Sequence, residues 1–341
     1  MRTRLMLTSG LAALAAVACS GGKPSADRAA SERVNTAQLA AFSPLPEVIR
    51  SDANPVTAAK VDLGRRLYYE TLLSNSHDVS CNSCHALNAY GADGRKFSMG
   101  DRGQFGGRNA PTVYNAAGHL AQFWDGRAGT VEEQALGPIL NPAEMAMPDS
   151  LEVLRHLRAD TGYVAAFRAA FPDEAQPVTY ANVGRAIGAF ERGLVTPSRW
   201  DRFLEGDSSA LTPLEKQGFN DFVQAGCAGC HNGMFVGGAS FQKVGLAQAW
   251  PEQADSGRFA VTKKLQDIMV FKVPSLRNVE RTAPYFHDGS VGDLGEAVQR
   301  MARYQLGREL NPAEEKAITA WLESLTGEIP ADYIAYPRLP E

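Results

Sequence analysis

Cysteine is scarce in this chain, with five in 341 residues. Four of them fall in two short stretches, "SCNSCHALN" at 80–88 and "GCAGCHNG" at 226–233. Clusters of lysine and arginine are lacking too. The formal charge is −4, and it becomes −6 once residues 1–18, which hold Arg2, Arg4 and no acid, are set aside. A nucleic-acid partner asks for a basic face, so that class is excluded. Long apolar runs are also missing. The longest, Leu5 to Ala18, is shorter than the roughly 20 residues needed to span a bilayer. Strand signals are few, which makes the class mainly α. What remains is ordinary globular composition, 44% hydrophobic and 21% charged. The length suits two domains of roughly 100–200 residues each.

The N-terminus reads as an export signal. Arg2 and Arg4 precede the apolar run, and Ala16-Val17-Ala18 supplies a small-residue cleavage site. Residues 1–18 are therefore assigned to a signal peptide. Cys19 follows at once, and "AAVAC" resembles the lipobox of bacterial lipoproteins, where that cysteine is acylated. Simple cleavage beside an incidental cysteine is the plainer alternative, but a leftover thiol is unusual in an exported protein. The expectation is a periplasmic protein that meets a membrane only through a lipid on Cys19. Residues 19–45, polar and small at first, are read as a flexible tether.

Beyond the tether, "TAAKVDLGRRLYYETLL" (57–73) carries apolar anchors at Val61, Leu63, Leu67 and Leu72. Residues 85–150 are rich in Gly, Asn and Pro and read as long loops with short helices. Helical patterns return at 150–170 and 178–194. Turn residues and charge near 195–212 mark a domain boundary, which divides the chain into 46–205 and 206–341. "TPLE" at 212–215 is a helix start, with Thr212 as N-cap, Pro213 at N1 and Glu215 at N3. One strong helix is expected in the last part, near 293–304. Each half has a helix followed by C-x-x-C-H, a weak internal repeat.

C-x-x-C-H is the attachment signature of c-type haem. Two thiols add to the vinyl groups, and the adjacent histidine ligates the iron. A zinc site built from all four cysteines would need far closer spacing. A thioredoxin-like pair needs no neighbouring histidine, and two plain disulfides would leave both histidines unexplained. Two covalent haems are thus expected, one on Cys81, Cys84 and His85 and one on Cys227, Cys230 and His231. The sixth position of each iron decides between carrying electrons and binding peroxide or oxygen. The remaining histidines are His77, His119, His156 and His287, and the nearby methionines include Met99, Met145, Met234, Met269 and Met301.

Longer strings carry a resemblance. "GGRNAPTVYNAAGHLAQFWDGRAGTVEEQALGPILNPAEM", "AIGAFERGLVTPSRWDRFLEGD" and "VPSLRNVERTAPYFHDGSVGDLGEAVQRMARYQLG", together with both pentapeptides, resemble the bacterial dihaem cytochrome c peroxidases over nearly all of 55–325. The resemblance implies two cytochrome c-like domains joined by long loops. The N-terminal haem would be the low-potential site that cleaves hydrogen peroxide. The C-terminal haem would take electrons from a small donor such as a monohaem cytochrome c or a copper protein. It also implies Met301 as sixth ligand of the second iron, with Met269 as fallback. On periodicity alone Met301 reads as a core residue, because Leu294, Val298 and Met301 share one helical face. By the same resemblance Glu144 is the distal acid–base group, Gln134 its hydrogen-bonding partner, and Trp124 the aromatic between the haems. Their plainer readings are a surface glutamine for Gln134 and a core aromatic for Trp124. Asn109 and the carbonyls of Thr282 and Pro284 match a Ca2+ site, and a homodimer is within the family's range.

One position departs from the pattern. Many relatives carry a histidine eight residues before the calcium asparagine, and it caps the peroxidatic iron until the other haem is reduced. Here "SMGDRG" has Asp101, so the usual reductive switch is in question. Two other functions compete with the peroxidase. A dihaem oxidase like that of methylamine utilisation caps its second haem with tyrosine, and Tyr304 lies near Met301. A plain electron-transfer cytochrome would need a strong sixth ligand at the first haem, where no histidine is placed.

Overall fold

The computed structural model describes residues 34–337. Leu5–Ala18 and Cys19 lie outside the described residues. The helices of six or more residues are α1 Ala58–Tyr69, α2 Val131–Leu140, α3 Ser150–Ala159, α4 Thr161–Ala170, α5 Tyr180–Glu191, α6 Arg199–Leu204, α7 Pro213–Ala225, α8 Leu294–Arg300 and α9 Pro312–Glu323. Among the described residues the only sheet is an antiparallel pair, β1 Phe241–Lys243 with β2 Val270–Lys272. The mainly α class therefore holds. No helix of the described residues is long and apolar enough to cross a membrane.

Two hydrophobic cores organise the chain. The first gathers Leu63, Leu67, Tyr68, Ile139, Val153, Phe167, Ile187 and Phe190 from α1 to α5. The second gathers Trp200, Phe219, Phe222, Ile318 and Trp321 from α6, α7 and α9. Both are built around the same helix crossing. At Gly64 of α1, a Cβ would lie 1.9 Å from the carbonyl oxygen of Ala186 and 2.9 Å from Cβ of Phe190 on α5. At Gly218 of α7, it would lie 1.8 Å from that of Ala317 and 3.0 Å from Cβ of Trp321 on α9. Only glycine lets the backbones approach so closely. Each crossing sets a glycine helix against a carbonyl and an aromatic four residues on, just before a C-x-x-C-H. The weak repeat in the sequence is thus a structural repeat.

Local chemistry explains most boundaries. Thr57 caps α1, its side chain accepting from the Lys60 amide. Thr212 and Glu215 form the expected capping box on α7, with Pro213 at its start. Gly226, with φ of 99°, ends that helix in the left-handed region that glycine tolerates. Residues 150–170 divide into α3 and α4, because Asp160 turns out of the helix and caps the second. Leu73 is fully buried and Leu72 is not, since α1 stops at Tyr69 and a tighter turn follows. The second strong C-terminal helix, α9, has the same signal as α7: Asn311 and Glu314 form a capping box around Pro312.

The packed chain begins earlier than residue 46. Phe42 sits edge-on to Trp200 and Phe219, and the Leu45 amide donates to Asp201 at 2.8 Å. The N-terminal strap thus belongs to the second core. Conversely, Tyr333 and Ile334 pack on the first, where the Tyr333 hydroxyl donates to the Phe190 carbonyl. A buried ion pair, Arg277 with both oxygens of Asp201 at 2.6 and 2.9 Å, locks the second core to the strap.

Candidate active site

The first pentapeptide opens a cavity of about 830 Å3. Ser80 and Ser83 cap a single helical turn, Cys81–Cys84, and the His85 amide donates back to the Cys81 carbonyl at 2.9 Å. That turn brings both thiols and the imidazole to one wall. The Tyr68 hydroxyl donates to the His85 carbonyl at 2.8 Å, and His85 Nδ1 lies 3.3 Å from the Gly91 carbonyl. Nδ1 therefore carries the hydrogen and Nε2 is left free to ligate a metal, the arrangement by which a carbonyl orients a metal-binding histidine. Burial holds the ring below its ordinary pKa, so it is neutral and able to ligate. None of the four described cysteines is in a disulfide, and burial pushes the Cys84 and Cys227 thiols up to about 11. Among the described residues no three His, Cys, Asp or Glu side chains converge as a metal cluster. Paired thiols, an oriented imidazole and a largely apolar wall fit a covalently attached haem.

Gln134 and Glu144 line the same cavity. α2 carries Gln134, and its end at Asn141 leads straight to Glu144. The Asn141 amide nitrogen donates to Glu144 Oε1 at 2.7 Å, while its oxygen accepts from the Ala143 amide. Burial raises the Glu144 carboxyl above the usual range, against the opposing pull of Arg127 and Asn141. Such a group changes protonation nearer neutrality than an exposed glutamate, which suits proton transfer. Gln134 is thus a cavity residue and not a surface one.

Asp101 is buried and turned elsewhere. Its carboxylate accepts from the Ser76 amide at 2.8 Å and from the Ser76 hydroxyl, and these bonds hold it below the usual carboxylate range. Its amide donates to the Glu144 carbonyl at 2.6 Å. Neighbouring Gly100 lines the cavity, with its Cα so close to Ala143 and Glu144 that a Cβ would lie 2.3 Å from a backbone oxygen. His77 packs edge-on to His156, and neither it nor His119 lines the cavity.

Trp124 lies between the first cavity and the cluster that holds Met301. It lines the first cavity, and its indole nitrogen donates to the Asn109 carbonyl at 2.9 Å. It also packs on Trp250, Met269 and Phe271 together with Met301 and Tyr304. The second pentapeptide follows α7 in a tight turn, with the His231 amide donating to Cys227 at 3.0 Å. Burial pushes His231 down to about 4, opposed by the carbonyls of Val236 and Pro274. Met301 opens a π-helical turn, Met301–Gln305, at the end of α8. Such turns interrupt a helix where a side chain must be aimed. The Tyr304 ring is taken up edge-on by Trp250.

Asn109 is buried, its side-chain nitrogen donating to the Arg95 carbonyl at 2.9 Å and its amide to the His287 carbonyl. Thr282 and the cis-linked Pro284 lie in the adjacent C-terminal loop. Two cavity residues escaped the sequence reading, Glu191 and Arg108, and His287 was named there only as an unassigned histidine. Glu191, at the end of α5, is pushed up to about 8 by burial and then by Glu132, against the pull of Arg192. Arg108 ties Asp125 of the first half to Asp255 of the second, with contacts of 2.6 to 2.8 Å. His287 stacks on Phe271 at 4.1 Å. The only sequence hint was their position inside the long matched strings.

Known proteins resemble this chain closely. Residues 58–209 match the family model described as di-haem cytochrome c peroxidase. A cytochrome c551 peroxidase of Pseudomonas aeruginosa is 44% identical over 308 residues, 88% of each chain. The methylamine utilization protein MauG of Methylorubrum extorquens is 36% identical, over 96% of this chain and 94% of that one. Among solved structures, a MauG-like protein associated with microbial copper homeostasis superposes with a TM-score of 0.77 at 30% identity, covering 86% of this chain and 97% of the other.

Proposed function

This chain belongs to the di-haem cytochrome c peroxidase family, and from that premise we propose that it reduces hydrogen peroxide to two waters with two electrons from a small donor protein. The observation that carries the reading is the convergence of Glu144 and Gln134 on the cavity walled by Cys81, Cys84 and His85. A haem bound there supplies the iron at which the O–O bond is reduced. Glu144 takes the proton from the attacking peroxide oxygen and returns it to the leaving one. Asn141 fixes the carboxyl's orientation, and Gln134 donates from α2. Charge that leaves the second site would have Trp124 in its path, since it lines the first cavity and packs on the cluster with Met301. In this reading Met301 would hold the second haem's iron opposite His231, and a thioether there would raise its potential relative to histidine.

Finer features follow in the same terms. Both haems are covalent, on Cys81 and Cys84 and on Cys227 and Cys230. Asn109 with the carbonyls of Thr282 and Pro284 offers oxygen donors of the kind Ca2+ takes. The donor is a monohaem cytochrome c or a copper protein, and the enzyme works in the periplasm, lipid-anchored through Cys19. The test is peroxide turnover with several reduced donors, alongside haem counting by mass. Two haems and donor-dependent turnover are expected, and two haems without turnover would sink the peroxidase. Cys227→Ser with Cys230→Ser should lose one haem by mass.

A further inference from the structure

Four cations are buried among the described residues: Lys60, Arg192, Lys272 and Arg277. Three have oxygen acceptors. Arg277 takes both oxygens of Asp201, and Arg192 takes both of Glu132. Lys60 donates to the Asn54 amide oxygen and the Pro55 carbonyl. Lys272 alone has none. Its Nζ donates to His119 Nδ1 at 3.1 Å, and no described carboxylate lies within ion-pairing distance.

The imidazole cannot serve as counter-charge. With Nδ1 accepting from the ammonium, its hydrogen sits on Nε2, which is itself buried without a partner. Burial, and then the Lys272 charge, hold His119 well below its ordinary pKa, so it stays neutral. Burial pulls Lys272 down to about 8, which still leaves it mostly charged at neutral pH. Two ammonium hydrogens and a full charge therefore remain unanswered. Such groups are found buried only when paired.

The place is as telling as the charge. Lys272 closes β2 opposite Phe241, and its amide donates to the Trp124 carbonyl at 2.8 Å. It thus stands at the seam between the halves, beside Trp124, which lines the first cavity and packs on the cluster that holds Met301. His119 comes from the first half and Lys272 from the second. The missing partner is an acceptor with negative charge, and the propionates of a bound haem would supply carboxylates of that kind. We infer that the Lys272 ammonium, held in place by His119, is the buried counter-charge of a haem propionate between the two halves. His119 is the positioning residue of the pair. This rests on the reading that the chain carries two haems.

Reduction adds negative charge to a haem, so a neighbouring cation favours the reduced form. Lys272→Gln removes the charge and Lys272→Arg keeps it. The experiment counts haems by mass in the full-length protein and then measures both midpoint potentials by optical titration. Lys272→Gln should lower one potential, changing the reduced-to-oxidised ratio at fixed voltage by about tenfold, or 59 mV for one electron. Lys272→Arg should stay close to wild type. Whichever haem shifts identifies the owner of the propionate. Two haems with both potentials unchanged in Lys272→Gln would overturn the inference alone, whereas a wild type without two haems would overturn the functional reading as well. Should Lys272→Gln fail to load haem, His119→Gln leaves the charge but unpins it. Its resonance Raman propionate-bending band should then move, and an unmoved band would refute the pairing.

Discussion

Replacing Glu144 by glutamine tests the chemistry with little disturbance of the fold. The two side chains are nearly isosteric, and Asn141 can still donate to the Oε1 that it holds at 2.7 Å in the native protein. What disappears is the proton that the carboxyl accepts and returns. General acid–base groups contribute roughly 10²–10⁴-fold, so kcat/KM for peroxide should fall by that order. The pH dependence is the sharper readout. Burial raises the Glu144 pKa, and only the ionised form can take the first proton. Activity should therefore be full at high pH and fall as pH drops through a value above the ordinary glutamate range, about 4.3. Arg127 opposes the rise, so Arg127→Gln should move that limb to still higher pH. In Glu144→Gln the limb should vanish along with most of the rate. The assay is steady-state peroxide consumption with a reduced cytochrome across pH, with the haem spectrum as a control for intactness. An intact spectrum with the acid limb and rate preserved would show that the proton acceptor is elsewhere.

Three further expectations follow from the packing. Gly218→Ala forces a Cβ to within 1.8 Å of the Ala317 oxygen, and overpacking of this kind costs typically about 1–3 kcal/mol, readable as a lowered denaturant midpoint. Asp201→Asn strips the fully buried Arg277 of its counter-charge and should destabilise by roughly 3–5 kcal/mol in the same titration, with Gly292→Ala, whose Cβ would meet nothing, as a check that small changes are tolerated. Because Asp101 is committed to Ser76, the fully oxidised protein should show one high-spin ferric signal in electron paramagnetic resonance and bind cyanide without prior reduction. Two low-spin signals alone would contradict that.

Much of this architecture could be read from the chain. The pentapeptides, the capping box at Thr212 and the glycine that ends α7 are local signals, and local signals survive into the fold. The residues lining the first cavity came from long-string resemblance, since no periodicity places Gln134 opposite His85. The helix at 312–323 was missed although Asn311, Pro312 and Glu314 repeat the signal recognised at Thr212. Lys272 and His119 could not be paired from sequence, because 153 residues separate them and a loop and a strand must meet first. The role of Asp101 was equally hidden. Its identity is plain in the sequence, but whether it faces iron or Ser76 depends on a contact across 25 residues.

The exchange of chain ends has a practical meaning for anyone dissecting the molecule. A cut near residue 205, the obvious place to separate the haem-binding halves, would not yield two autonomous pieces. The downstream fragment would lose both Phe42 and Trp200 from against Phe219, together with Asp201, the partner of Arg277. The upstream fragment would lose Tyr333, stacked on Phe190 at 5.2 Å, and Ile334, whose carbonyl receives the Tyr69 hydroxyl. Each half is finished by the other's terminus, like two books shelved with their end-leaves interchanged. Fragments should therefore recover their cores only when co-expressed, and a fusion at either end acts on the distant half first.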